Sequence, residues 1–222
     1  MSVGPRLPRI QLADNGKAVV SGDYHWLPGS IPKNLAQLRS LLQPGDTCLF
    51  LGDLFEVWYE NRSGMVDGYA EHLNILQGWS NEGIKLHLLV GNRDFLASRQ
   101  LQKHTGLTIH PSPVLLSCAG HQLLAIHGDE LLPDDLSYQR FKKWVRHPLV
   151  KGLLGHLPLA WLKRLSGDMR RHSQHKLKSL PGQHFQPKLD LLKPLLKACA
   201  PDQIIAGHLH VEKHHIRHAG SE

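Results

Sequence analysis

The sequence predicts an α/β layered protein with a mixed sheet, and two observations carry this prediction. Short apolar runs rich in β-forming residues alternate with segments of helical periodicity, which is the pattern of strands covered by helices. Residues 107–126 break the alternation with a hairpin signal around Ala119 and Gly120, so two strands there are expected to run antiparallel. The length of 222 residues is typical of one domain with an insertion.

Buried strands are predicted where a short apolar run precedes a polar or glycine-containing turn. These runs are residues 17–22, 47–51, 84–90, 121–126 and 203–206. Helices are predicted between them over residues 31–42, 68–79 and 95–104. The first helix has Ser30 as a candidate N-terminal cap and Pro32 in its first turn, and both residue types favour a helix start.

Positive charge is concentrated in one segment of the chain. The whole sequence has 26 Lys and Arg against 19 Asp and Glu, a net charge of +7. Residues 136–178 contain eleven Lys and Arg and a single acid, Asp168, so this segment carries +10 and the remainder −3. Its apolar residues have helical spacing without a strand signal. We therefore predict a basic helical insertion that serves an anionic partner.

Composition excludes several classes of protein. Hydrophobic residues make up 41% and charged residues 20%, which excludes disorder, coiled coil and collagen. The cysteines, Cys48, Cys118 and Cys199, form no CxxC pair, so neither a disulfide framework nor a cysteine zinc site is predicted. Residues 1–16 lack the apolar core of a signal peptide, and no run approaches the roughly 20 apolar residues of a membrane span. We therefore expect a cytoplasmic protein.

Residues of the kinds that bind metals follow five of the predicted strands. They are Asp23 and His25, then Asp53, then Asn92 with Arg93 and Asp94, then His127 with Asp129, and finally His208 and His210. Each pattern alone is typical of a strand-ending turn, but ligands gather at the carboxyl ends of strands in α/β sheets. Two carboxylates, one carboxamide and four imidazoles exceed what one zinc ion needs. Together they favour two divalent ions with a carboxylate between them.

The remaining polar residues near these motifs are expected to support the site. Asp94 and Asp129 are predicted to orient ligands, as partners of metal-binding side chains commonly do. Glu56 and Trp58, in GDLFEVW, are predicted to pack or to orient their loop rather than to react.

The ordered set DxH, GD, GN, H and GHxH, from Asp23 to His210, resembles the calcineurin-like metallophosphoesterase superfamily. Within it, GDLFEVW, GNRDFL and HGD followed by Asp134, Asp135 and Tyr138 are similar to the UDP-2,3-diacylglucosamine diphosphatases of lipid A biosynthesis. The chain departs from the family pattern in SGDYHW and in GHLH, and 12 residues follow His210.

The resemblance implies a two-sheet sandwich flanked by helices, with a helical cap inserted at about residues 131–190. It implies a metallophosphoesterase domain over residues 17–222, preceded by an N-terminal extension over residues 1–16. It also implies two divalent metal ions, usually Mn²⁺, bridged by Asp53. The remaining ligands would be Asp23, His25 and His210 for one ion, and Asn92, His127 and His208 for the other.

The resemblance further implies a substrate and the residues that contact it. The reaction would be hydrolysis of the diphosphate of UDP-2,3-diacylglucosamine to UMP and 2,3-diacylglucosamine 1-phosphate. Asn92 and Arg93 would act on the phosphate together with the bridging Asp53. The substrate-binding set would be Asn92, Arg93, Asp135, Tyr138, Arg170, Ser173 and His208.

Alternative functions stay open at this point. The same site would suit another phosphodiester or nucleotide, and the basic insertion would suit a nucleic-acid-binding or membrane-binding protein with an inactive site. The aromatic residues of the insertion are spaced as a helix core rather than as a stacking strip, so no nucleic-acid partner is expected. Residues 149–162 fit either a core helix or an apolar face for acyl chains. Peripheral contact with the cytoplasmic face of the inner membrane is an open expectation.

Overall fold

A computed structural model of the chain contains two four-stranded sheets with helices around them. It describes residues 7–12, 17–30, 34–60, 62–118, 120–131 and 188–208, together with positions 144, 150, 157 and 158. The predicted α/β layered class is confirmed, and so is the arrangement in two sheets.

The first sheet consists of parallel strands in the order β2-β3-β4-β5. Its strands are β2 (Ala18–Ser21), β3 (Thr47–Phe50), β4 (Lys85–Leu89) and β5 (Thr108–His110). Every residue of β3 is buried, because this strand is central in the sheet and covered on both faces. Since all four strands point the same way, their carboxyl ends meet at one edge of the sheet.

The second sheet is mixed, in the order β1-β6-β7-β8. Its strands are β1 (Arg9–Gln11), β6 (Val114–Cys118), β7 (His121–Ile126) and β8 (Gln203–Ala206). Only the predicted hairpin of β6 and β7 is antiparallel among these pairings. The strand β1 lies within the segment that the sequence sets apart as an extension, so residues 9–11 contribute to the sheet itself.

The structure describes five α-helices, of which three correspond to the helices predicted outside the insertion, with different bounds; Ser63–Gly68 and Lys193–Cys199 were not predicted. The five helices are α1 (Asn34–Ser40), α2 (Ser63–Gly68), α3 (Ala70–Asn81), α4 (Arg99–Thr105) and α5 (Lys193–Cys199), with 3₁₀ turns at Asp129–Leu131 and Leu189–Leu192. The helix predicted over residues 68–79 begins at Ala70, because Gly68 still belongs to α2 and Tyr69 lies between α2 and α3 with φ −111° and ψ 14°. The helix predicted from residue 95 begins at Arg99, because residues 94–97 form a turn closed by Ala97 N and Asp94 O.

Apolar residues from both sheets form one core. Ile10 of β1, Leu49 of β3, Leu89 of β4 and Leu116 of β6 are all buried in it. Burial of a leucine or isoleucine side chain contributes about 1.5–3 kcal/mol, so this layer is a major source of stability. It fixes the two sheets face to face and therefore fixes the loops at their strand ends.

A second, aromatic cluster lies beneath the loops that follow β2 and β3. The ring of Trp26 packs edge-on against Phe55 with ring centroids 5.7 Å apart, and the ring of Phe55 packs against Tyr69 with centroids 4.9 Å apart. The ring of His72 in α3 lies against Trp26 with centroids 5.1 Å apart and the planes tilted by 33°, and its Nε2 atom donates to the carbonyl oxygen of Ser30 at 2.9 Å. These contacts connect the loops to α3 and to Tyr69, the residue that precedes it.

The chain divides into two compact units, one formed by Met1–Glu130 with Leu189–Glu222 and the other by Leu131–Lys188. The predicted cap falls in the second unit except for its last two residues, 189 and 190, and most of its residues lie outside the described part of the structure. Within the part that the structure describes, no helix is both long enough and apolar enough to cross a membrane.

Candidate metal centre

Loops at the carboxyl ends of the strands bring six of the seven predicted metal ligands together. Asp23 and His25 follow β2, Asp53 follows β3 and Asn92 follows β4 in the first sheet; His127 and His208 follow β7 and β8 in the second. His210, the seventh, lies outside the described residues.

Four of these residues have left-handed backbone conformations. The φ angles are 57° for Asp23, 48° for His25, 52° for Asp53 and 66° for His208. Such angles are uncommon for residues with a side chain, and they concentrate at functional sites. Each of these four residues lies just after a strand, and its left-handed backbone changes the direction of the chain there. Side chains from different strands can therefore lie close together.

The candidate ligands form two overlapping groups. One group is Asp53, His127 and His208, and the other is Asp23, His25 and Asp53; within each, the candidate ligand atoms lie within 4.8 Å of one another. Because Asp53 belongs to both groups, its carboxylate lies where it can touch two cations at once. This sharing is the geometry expected of a centre with two metal ions.

The orientation of His127 is fixed by a backbone carbonyl. Its Nδ1 atom donates to the carbonyl oxygen of Leu51 at 2.7 Å, so Nε2 presents its lone pair to the site. This Nε2 atom lies 3.0 Å from Oδ1 of Asn92 and 3.7 Å from Oδ1 of Asp53. Burial lowers the pKa of His127, but the carboxylates of Asp53 and Asp129 raise it above the ordinary value for histidine.

Asp53 is buried and ionised. Burial raises the pKa of its carboxyl group, but the neighbouring imidazoles of His208 and His127 hold it below its usual value. The backbone N–H of Arg93 also donates to Oδ1 of Asp53 at 2.9 Å. A carboxylate that stays charged in the interior is a strong ligand for a divalent cation.

Side-chain oxygen and nitrogen atoms of the site lie close together, as expected for atoms that surround a cation. The end of the Asn92 side chain lies 2.7 Å and 3.0 Å from the two carboxylate oxygens of Asp53 and 3.2 Å from Nδ1 of His208. Oδ1 of Asp23 is buried and has no hydrogen-bond partner among the described residues. This mixture of oxygen and nitrogen donors fits divalent ions such as Mn²⁺ and Zn²⁺. The residues present therefore fit the metal ions that the sequence motifs imply.

The carboxylates of Asp94 and Asp23 also accept hydrogen bonds from the backbone of neighbouring loops and so hold these loops together. Asp94 is fully buried, and its two oxygens accept from the backbone N–H of Gly91 at 2.7 Å and of Leu54 at 3.0 Å. Burial, with the nearby charge of Asp53, raises the pKa of Asp94 to about 7. Oδ2 of Asp23 accepts from the backbone N–H of His208 at 2.7 Å, which ties the first sheet to the second.

Arg93 and His25 share a neighbour for which the sequence predicted only packing or loop orientation. Nη1 of Arg93 lies 3.0 Å from Oε1 of Glu56, and Nδ1 of His25 lies 3.7 Å from Oε2 of the same residue. Burial lowers the pKa of His25. The only sequence signal for Glu56 was its position three residues after Asp53 in the GDLFEVW loop.

Four of the predicted substrate-binding residues belong to the insertion. Asp135, Tyr138, Arg170 and Ser173 all lie outside the described residues. Arg93 is described, and its half-buried side chain is at the rim of the centre. Asp129 is fully buried in the 3₁₀ turn that follows His127.

The fold and the site together define a metal-dependent phosphoesterase. Residues 16–212 match the family model of the calcineurin-like phosphoesterases, and the chain belongs to this family. It is a metal-dependent hydrolase, as the sequence predicted.

Curated relatives share sequence with most of the chain. A UDP-2,3-diacylglucosamine hydrolase of Nitrosococcus oceani is 30% identical over 85% of this chain and 76% of its own length. An enzyme of the same name from Pseudomonas paraeruginosa is 31% identical over 82% of this chain and 75% of its own length. Another, from Neisseria meningitidis serogroup C, is 32% identical over 76% of this chain and 69% of its own length.

Proposed function

We propose that this protein hydrolyses the diphosphate bond of UDP-2,3-diacylglucosamine, giving UMP and 2,3-diacylglucosamine 1-phosphate for lipid A biosynthesis. The similarity to three hydrolases of that substrate, each over at least 76% of this chain, carries the proposal. The reaction adds one water molecule: its oxygen bonds to one phosphorus, the P–O–P bond breaks, and two phosphate monoesters result.

The centre would hold two divalent ions, for which we propose Mn²⁺. Asp53 would bridge them, with Asp23, His25 and His210 on one ion and Asn92, His127 and His208 on the other. When bound, such ions lower the pKa of a shared water and neutralise charge that develops on the phosphate.

The side chains of this chain contribute binding and orientation. Arg93 presents a guanidinium fork at the rim of the site, and such a fork suits the non-bridging oxygens of a phosphate. Asn92, after β4, and His208, after β8, have side chains 3.2 Å apart and would contact the same phosphate. Asp94 keeps the loop of Asn92 against the loop of Asp53, because its carboxylate accepts from both.

The insertion would supply the rest of the substrate site. We propose that Asp135 and Tyr138 approach the sugar or nucleotide, and that Arg170 and Ser173 bind the substrate from the cap. The segment of residues 136–178 contains eleven Lys and Arg. This positive charge would also favour peripheral contact with anionic lipid on the cytoplasmic face of the inner membrane. Membrane contact would be tested by flotation with anionic and with neutral vesicles.

UMP release from UDP-2,3-diacylglucosamine with added Mn²⁺ tests the function. Turnover should require the metal, stop with chelator and fall by at least about a hundredfold in Asn92→Ala. A matched control is Asn74→Ala, which makes the same change on the exposed surface of α3. Hydrolysis of bis(p-nitrophenyl) phosphate by a metal-loaded protein that releases no UMP would refute the lipid substrate and favour another phosphodiester.

A further inference from the structure

We infer that Glu56 is a positioning residue that couples the phosphate-binding arginine to a metal-ligand histidine, through the two oxygens of its carboxylate. One oxygen lies 3.0 Å from Nη1 of Arg93 and the other lies 3.7 Å from Nδ1 of His25. This inference rests on the proposed function, because it concerns how Arg93 meets a phosphate group.

The backbone places Glu56 beside His25. The loops after β2 and β3 continue the pairing of their strands, with a parallel bridge between Trp26 and Phe55. His25 N donates to Asp53 O at 3.0 Å, and Glu56 N donates to Trp26 O at 2.9 Å. The position of Glu56 is therefore fixed by the same ladder that positions two candidate metal ligands.

The backbone of Arg93 is fixed from both sides, but its long side chain needs a partner of its own. Its N–H donates to Asp53 at 2.9 Å, and its carbonyl oxygen accepts from Trp58 N at 3.2 Å. A guanidinium has five N–H donors, so the pair with Glu56 uses only part of this capacity. The pair thus selects one orientation of the side chain while donors remain for a phosphate.

Charge explains why a carboxylate is needed at this point. Arg93 carries a positive charge beside a site that would hold two cations, and like charges at close range repel. Glu56 is only 16% exposed, so solvent screens its interaction with Arg93 weakly. Without the carboxylate, we expect the guanidinium to turn toward solvent and the imidazole of His25 to lose a negatively charged neighbour.

A double-mutant cycle tests the coupling to Arg93. Glu56→Gln keeps the shape but removes the charge, and it should lower kcat/KM for UMP release about tenfold, chiefly by raising KM. At saturating Mn²⁺, where weaker metal binding does not contribute, the same change in an Arg93→Ala background should cost less than about twofold, since the guanidinium is already absent. Calorimetric binding of UMP to the Mn²⁺-loaded protein should show the same non-additivity without turnover. Equal losses in both backgrounds would overturn the coupling.

The coupling to His25 has its own measurement. Mn²⁺ titration by calorimetry should show affinity about tenfold weaker in Glu56→Gln, and unchanged affinity would overturn this part. Glu56→Asp is too short to reach both partners and should reproduce the losses if Glu56→Gln unfolds.

Controls separate these outcomes from failure of the proposed substrate. Glu82 forms an ion pair with Arg39 near the start of β4, away from the site. Glu82→Gln should therefore change neither kcat/KM for UMP release nor the affinity for Mn²⁺. If the parent protein releases no UMP, the proposed function fails. The cycle then runs on bis(p-nitrophenyl) phosphate, and additive losses on that substrate would still refute the role of Glu56.

Discussion

Nδ1 of His127 lies 2.7 Å from the carbonyl oxygen of Leu51 and donates its proton to it. Leu51 directly follows β3 and His127 directly follows β7, so this bond joins the two sheets at the edge that carries the site. The same bond holds the other ring nitrogen, Nε2, toward Asp53 and Asn92. One hydrogen bond therefore contributes to the packing of the sheets and to the geometry of the centre.

Replacement of His127 should affect both stability and activity. His127→Ala should remove turnover and lower the free energy of unfolding by about 1–3 kcal/mol, because the buried carbonyl oxygen of Leu51 loses its donor. Urea unfolding of the metal-free protein measures the first effect and UMP release the second. Asn92→Ala, at a half-buried position, should lose turnover with a much smaller change in stability. An unchanged urea midpoint in His127→Ala would contradict this role of the hydrogen bond.

The central strand could be predicted because burial on both faces leaves a continuous apolar run in the sequence, whereas Gln203–Ala206, also predicted as a buried strand, is exposed or half-buried in the described structure. The central strand is Thr47–Phe50, with all four residues buried. The strand Arg9–Gln11 escaped prediction because only Ile10 of its three residues is buried, which gives no pattern to detect. The boundary between α2 and α3 at Tyr69 was also not predicted, and the packing of its ring against Phe55 is a contact that no local pattern reveals.

The composition of the site could be predicted, but its geometry could not. Ligand-type residues at the ends of Ala18–Ser21 and Thr47–Phe50 had to meet, because parallel strands share one edge. That Asp53 lies between two groups of ligands depends on how the second sheet packs, which no local pattern encodes. Glu56 shows the same limit, since its contact with Arg93 joins residues 37 apart in sequence.

Asp94 should be sensitive to the loss of a single acceptor. Asp94→Asn puts an amide N–H₂ against one of two backbone donors, Gly91 N or Leu54 N, so one buried N–H loses its acceptor. We expect the free energy of unfolding to fall by about 1–3 kcal/mol, with a parallel loss of kcat/KM. Urea unfolding with and without Mn²⁺ measures the change. Asp67→Asn, in α2 outside the centre, is the matched control, and equal stability of the two variants would refute the prediction.

Acid should destabilise the protein through a histidine pair in the first sheet. Nδ1 of His87 in β4 lies 2.9 Å from Nε2 of His110 in β5. Burial, then the neighbouring charges of His110 and Lys85, lower the pKa of His87 to about 4, and burial lowers the pKa of His110. Both residues bind a proton more readily in the unfolded chain, so their contribution to stability is complete above about pH 6.5 and is lost as the pH falls toward 4.

This loss of stability at acid pH is tested by comparing the free energy of unfolding in urea at pH 7.5 and at pH 4.5. His87→Gln should reduce the loss of stability over that interval, because it removes the group with the larger pKa shift. His104→Gln makes the same substitution at an exposed position in α4 and should leave the loss unchanged. If the parent protein and His87→Gln lost equal unfolding free energy over this interval, other titrating groups would be responsible for the instability in acid.

Two glycines should respond to alanine in opposite directions. A Cβ atom on Gly91 would lie 2.5 Å from the backbone nitrogen of Asp53 and 3.0 Å from Cε1 of His127, so the loops at the centre would have to separate. Gly91→Ala should therefore lower the unfolding free energy by about 1–3 kcal/mol and reduce kcat/KM about a hundredfold. Gly78 lies inside α3, where a Cβ would meet nothing within 4 Å, and Gly78→Ala should raise stability by about 0.5–1 kcal/mol with turnover unchanged. Urea unfolding and UMP release measured on both variants decide the matter, and a Gly91→Ala protein as stable and active as Gly78→Ala would contradict the close approach of these loops.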